Sequence, residues 1–254
     1  LFGAGRRIGP ADIGLLVATG ISNVRVRKRP EICVIPTGEE LVESDPAPGE
    51  VVESNGQMIV EFAETWGGSA TKVPIVTDDR DAIAEALLQE TDSDLLVTIG
   101  GSSVGRRDLV PDVVQEVGEL TIHGVASKPG HPAGIGVVED TPVVLSPGYP
   151  VSTVVTAVQL LRPAIARAGG FDPPPITSRE ATLDRKIASE PGVRTFVRVA
   201  IREDECGEIR AEPIRTAGAS VLSSVTKADG WVVVPEAVEG YVSGDRLSVE
   251  RWRW

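Results

Sequence analysis

Leu95-Leu96-Val97-Thr98-Ile99-Gly100-Gly101-Ser102-Ser103-Val104-Gly105-Arg106-Arg107-Asp108 is an apolar run that stops on two glycines and two hydroxyls. Leu109, Val113, Val114 and Val117 follow at helical spacing. A buried strand that turns through glycines into a helix presents backbone N–H groups at one point, where a phosphate or other anion can sit. Glycine lets the backbone approach such a ligand closely, and Asp108 sets a carboxylate at the rim. The spacing fits neither the dinucleotide fingerprint nor the P-loop, so a plain tight turn stays open as the alternative.

The same strand-then-helix order runs outward from this stretch. Residues 32–35 form an apolar strand leading into Pro36-Thr37-Gly38-Glu39-Glu40. Residues 54–66 read as a helix capped by Ser54 or Asn55 and stopped by Gly67-Gly68. Residues 70–76 read as a strand, 79–90 as a helix capped by Asp78 or Asp79, 143–145 as a strand and 150–168 as a long helix. Repeated β-then-α order predicts an α/β fold, three layers around a mostly parallel sheet. Ligands in such folds bind at the carboxyl ends of the strands, where Thr37–Glu40, Gly100, Lys128–Pro132 and Ser146–Pro150 all fall.

Phe171-Asp172-Pro173-Pro174-Pro175 marks the clearest boundary, because consecutive prolines cannot continue a helix. Beyond it the period shortens to two over 194–201, 208–214, 230–235 and 246–251, predicting a small all-β barrel or sandwich over 176–254. Residues 30–170 form the α/β domain. Before them, 1–29 carry a short helix over 10–19 and an alternation at Val24 and Val26 that reads as the end of a small sheet. Starting at Leu1 without a signal, the chain reads as part of a longer protein.

The 254 residues carry 37 acidic against 25 basic side chains, a net charge of −12, which excludes the basic face of a nucleic-acid binder. No apolar run approaches the ~20 residues of a membrane span. Five lysines and abundant acids suit a halophilic cytoplasm or an ordinary acidic cytosolic protein. Cys33 and Cys206 belong to no CxxC, and Cys33 sits in an apolar run as a core thiol.

Lys128-Pro129-Gly130-His131-Pro132 and Ser146-Pro147-Gly148-Tyr149-Pro150 echo each other as rigid loops, the second at a helix start. Glu39 and Glu40 hold a divalent cation, orient a substrate amine, or are solvated turn residues. His123 is a core or edge-strand histidine, so no nucleophile–His–acid set is evident. Arg194 and Arg198 share a strand face suited to oxyanions or to solvent. Ala217-Gly218-Ala219-Ser220 supplies an oxyanion contact or a helix cap.

In this order and approximate spacing, Thr37-Gly38-Glu39-Glu40-Leu41, Ser54-Asn55, Val76-Thr77-Asp78-Asp79, the glycine stretch to Asp108, and the two Pro-Gly loops resemble the molybdopterin molybdenumtransferases. This is the MoeA family, which includes the gephyrin E domain; Arg194-Thr195-Phe196-Val197-Arg198 extends the likeness into the β domain. The resemblance implies a MogA-like pterin-binding domain, with 1–29 belonging to a dimerisation domain of which more precedes Leu1. It implies insertion of molybdate into adenylylated molybdopterin with release of AMP, assisted by magnesium. Thr37, Gly38, Gly100, Gly101, Ser102, Ser103, Gly105, Pro129, Gly130, His131, Pro147, Gly148, Arg194 and Ser220 would contact the pterin substrate or oxyanion. Asp108, Glu40, Asp78 and Lys128 would serve the reacting anhydride, the three acids also holding the metal. A homodimer and a molybdopterin adenylyltransferase partner are implied too. Glu39, Arg106, His131 and Tyr149 depart from the family's usual Asp, Glu, Lys and Asn. The alternatives are a MogA-like adenylyltransferase and a non-catalytic pterin-binding scaffold.

Overall fold

A computed structural model of the chain describes residues 2–3, 5–100, 109–214 and 219–251. Six strands form the first sheet, in the order Ser69–Lys72, Glu31–Pro36, Leu95–Gly100, Thr141–Pro147, Gly134–Val138, Gly118–His123. The first four run parallel, Gly134–Val138 runs antiparallel to them, and Gly118–His123 pairs antiparallel to Gly134–Val138. Glu31–Pro36 and Leu95–Gly100 lie inside the sheet with both faces covered, which is why their sequences are almost continuously apolar.

Helices Asn55–Thr65 and Pro150–Thr156 cover one face, with Ile32, Val34, Val97, Ile99 and Val144 beneath them. Helices Arg80–Gln89 and Val110–Val117 cover the other over Cys33, Ile35, Leu96, Val143 and Leu145. Pro150–Thr156 continues through a π-helical turn, Ala157–Leu161, into Arg162–Gly169. Asp79 caps Arg80–Gln89, its Oδ1 accepting from the N–H of Asp81 at 3.1 Å and of Ala82 at 3.0 Å. The Asn55 helix is finished differently from the expected Ser54 or Asn55 cap. Its Gly56 N–H donates to Glu53 Oε1 at 2.6 Å, and Ser54 makes no side-chain cap bond.

Past Pro173–Pro175, strands Thr177–Leu183, Arg246–Arg251, Gly230–Val234, Arg194–Glu203 and Ile209–Pro213 pair in that order. Ile209–Pro213 then pairs back to Thr177–Leu183. Five strands thus close a barrel around Leu183, Val199, Ala211, Val232, Val234 and Val249. Phe196 and Trp231 stand on its outer face, edge to face at 5.1 Å, and join the apolar cluster under helices Asn55–Thr65 and Pro150–Thr156. The barrel is therefore packed onto the α/β domain rather than tethered to it.

The alternation at Val24 and Val26 forms no strand: residues 21–30 are irregular, and both valines are exposed. No strand among the described residues lies beside them to complete a ladder. His123 ends the exposed edge strand of the sheet, which settles its two readings for the edge.

Cys33 is wholly buried and Cys206 exposed. Burial pushes the Cys33 thiol up to about 12, with Glu90 adding to it. At pH 8 iodoacetamide will therefore add one label per native chain and two in urea, read by intact mass. Two labels on the native protein would contradict this burial.

Candidate functional site

The carboxyl ends of three neighbouring strands meet at one edge. Register sets Pro36 beside Ile99, Ile99 beside Ser146 and Gly100 beside Pro147. The chain leaves the first strand with the Thr37 N–H donating to Ile99 O at 2.7 Å and the Gly38 N–H to Val76 O at 3.1 Å. Thr37 is buried directly against Gly100. A Cβ on Gly100 would stand 1.9 Å from Thr37 Oγ1 and 2.6 Å from Thr37 O, so only glycine fits there.

The Pro147-Gly148 loop is fixed from below. Asn55 Nδ2 donates to Gly148 O at 2.7 Å; Thr153 Oγ1 lies 2.8 Å from Pro147 O and 3.1 Å from Tyr149 O. The Val151 N–H donates to Ala219 O at 3.0 Å, bringing exposed Ser220 beside the start of this helix. Pro132 reaches the same edge and lines a small pocket with Thr98, Gly100, Val110, Leu145, Ser146 and Pro147. Gly130, at φ +109°, packs over Val155 and Thr156.

Two polar atoms at this edge are buried without a hydrogen-bond partner: Ser146 Oγ, on a residue 5 % exposed, and Asn55 Oδ1. Buried polar atoms are normally paired, so such atoms at the carboxyl end of a parallel sheet fit contact with a ligand or water. The sequence reading did not single out either side chain for binding. Ser146 belongs to the Ser146–Pro150 loop, and Asn55 enters as a cap and as part of the family likeness.

Other expected contacts sit farther apart. Ser127–Lys128 pairs in parallel with Arg194–Thr195, so a loop of the α/β domain adds a short strand to the barrel. Lys128 is opposite Thr195 and Arg194 opposite Ser127, so the two cationic side chains leave opposite faces. Lys128 Nζ lies 2.7 Å from Glu190 Oε1, and Arg194 Nε 3.1 Å from Glu236 Oε1. Arg194 and Arg198 share one face with Phe196 between them; burial lowers the Arg198 pKa from its ordinary value. His131 Nδ1 is 2.7 Å from Val125 O, so Nδ1 carries the proton and Nε2 is left toward solvent.

Glu40 curls back over Gly38, its Oε2 3.1 Å from where a Cβ would be, and Asp78 is half-buried. Among the described residues no three His, Cys, Asp or Glu side chains come together as a metal site. Gly101, Ser102, Ser103, Gly105 and Asp108 lie outside the described residues.

Comparison with known proteins adds to this geometry. Residues 33–167 match the family described as probable molybdopterin binding domain, and residues 180–252 the MoeA C-terminal region (domain IV). The chain belongs to the MoeA family. Molybdopterin molybdenumtransferase 2 of Mycobacterium tuberculosis is 31% identical over 96% of this chain and 62% of its own length. The Haemophilus influenzae molybdopterin molybdenumtransferase is 28% identical over 97% and 62%. A crystal structure of a molybdopterin biosynthesis MoeA protein from Pyrococcus horikoshii superposes with a TM-score of 0.84 at 32% identity. It covers 98% of this chain and 61% of the other. The chain thus spans about three fifths of the length of the relatives it matches. No helix among the described residues is long and apolar enough to cross a membrane.

Proposed function

We propose that this chain supplies the pterin-binding portion of a molybdopterin molybdenumtransferase. The protein would take adenylylated molybdopterin and molybdate as substrates, cleave the phosphoanhydride, release AMP and leave the metal on the dithiolene. The observation that carries the reading is the convergence of Thr37-Gly38, Gly100, Pro132 and Pro147-Gly148 on one sheet edge, with the buried Ser146 hydroxyl unpartnered there. At such an edge the unpartnered Ser146 hydroxyl is free to donate to a phosphate oxygen, and fixed donors stabilise charge on the departing anhydride.

In this reading the stretch from Gly100 to Asp108 holds the pterin phosphate, beside the Thr37-Gly38 corner. Lys128, His131, Arg194 and Ser220 hold oxyanion charge, and Asp108 serves the anhydride. Magnesium would be shared by Glu40, Asp78 and Asp108. Of these three, Asp108 lies outside the described residues, and no step is routed through the metal. The protein would be a cytoplasmic homodimer, with 1–29 belonging to its dimerisation domain and an adenylyltransferase as upstream partner.

The test is which reaction the protein supports. Molybdate-dependent release of AMP from adenylylated molybdopterin is expected, lost in Asp108→Ala. ATP-dependent adenylylation of molybdopterin would instead make it an adenylyltransferase. Binding with neither reaction would make it a scaffold.

A further inference from the structure

Both cations assigned to oxyanion charge are already held by carboxylates of the barrel. Glu236 grips Arg194 with both oxygens, Oε1 3.1 Å from Nε and Oε2 3.3 Å from Nη2. That two-point contact along the guanidinium edge is the one a tetrahedral oxyanion takes. Glu190 Oε1 sits 2.7 Å from Lys128 Nζ. The two acids belong to one piece of structure: the Gly192 N–H donates to Glu236 O and the Val193 N–H to Glu190 O. Neither acid packs into a core, and all four side chains in the two pairs are between 44% and 69% exposed.

We propose that Glu190 and Glu236 are resident counter-ions that an incoming dianion must displace, and that they set the site's selectivity against singly charged anions. This rests on the reading of Lys128 and Arg194 as oxyanion contacts. An exposed pair in water is weak enough to exchange. A tetrahedral dianion such as molybdate brings twice the charge of a carboxylate and more acceptor oxygens, and so replaces it in the fork. Acetate or chloride brings no more than the glutamate already supplies. Without the acids the cations would be open to every small anion. Both acids are held below the usual carboxylate range, Glu190 by Lys128 and Glu236 by a backbone N–H and then Arg194, so both are charged at neutral pH.

The experiment is calorimetric titration of molybdate into the 254-residue chain, its Glu190→Gln, Glu236→Gln and double variants, and Glu239→Gln. Glu239 is exposed on the same segment, and removing its charge is the control for net charge alone. Each single variant is expected to bind molybdate about two- to fivefold more tightly, and the double variant at least as tightly as the better single variant. Acetate should compete in the double variant and not in the wild type. An unchanged affinity in the double variant, or an equal gain in Glu239→Gln, would overturn the proposal. Arg194→Gln separates the two levels. If it weakens molybdate binding while the glutamate variants change nothing, the counter-ion role falls and the oxyanion contact stands. If it binds molybdate like the wild type, the contact itself falls, and the proposal with it.

Discussion

Gly100→Ala will destabilise the chain by about 3 kcal/mol, the upper part of the range for a side chain forced into a filled interior. The added Cβ would stand 1.9 Å from Thr37 Oγ1 and 2.6 Å from Thr37 O. The hydroxyl can rotate away, but the carbonyl cannot. Thr37 is 1% exposed, its N–H is bound to Ile99 O, and its backbone bridges to Val76. Relief must therefore come from separating two central parallel strands at their carboxyl ends, which moves Thr37-Gly38 and Pro147 together. Urea denaturation of Gly100→Ala with Thr37→Ala checks the cause. The double variant should recover only the part due to the hydroxyl. Complete recovery would show that the backbone contact costs nothing.

Lys72→Met is expected to cost about 3 kcal/mol as well, for a different reason. The Glu53 side chain is 2% exposed, with Oε1 taken by the Gly56 N–H and Oε2 3.1 Å from Lys72 Nζ. Lys72 also reaches Glu43 at 3.1 Å, but Glu43 is largely in solvent and contributes little. Removing the ammonium leaves a buried carboxylate with one neutral donor. The effect reaches the site, because Glu53 closes the helix start that aims Asn55 at Gly148 O. Adding Glu53→Gln should restore most of the loss, since a neutral amide keeps the Gly56 bond and removes the unpaired charge. Urea midpoints of the two single variants and the double variant give the coupling. A double variant no more stable than Lys72→Met would refute the buried-charge account.

The parallel sheet was legible because its central strands are buried on both faces, so Cys33–Ile35 and Leu95–Ile99 read as unbroken apolar runs. Thr177–Leu183 escaped notice because its first four residues are exposed and only Ala181 and Leu183 face the barrel interior. Val24 and Val26 misled for the converse reason: a period of two means a strand only where a partner lies alongside. The two Pro-Gly loops were visible as short motifs. What holds them was not, since Asn55 reaches Gly148 across 93 residues and Lys128 reaches Glu190 across 62. Local sequence shows which residues can bear charge. It does not show that an acid from another strand has met that charge already, and for Lys128 and Arg194 this changes what a ligand must do to enter.

The central claim is that the carboxyl edge around Gly100 is the pterin-phosphate seat. Hydrogen exchange of the chain with and without molybdopterin tests it directly. Slowed exchange is expected in peptides containing Thr37-Gly38, Gly100, residues 128–132 and residues 146–150, with the opposite end of the sheet unchanged. Saturating molybdopterin that leaves these peptides unchanged, or protects only the barrel interior, would contradict it.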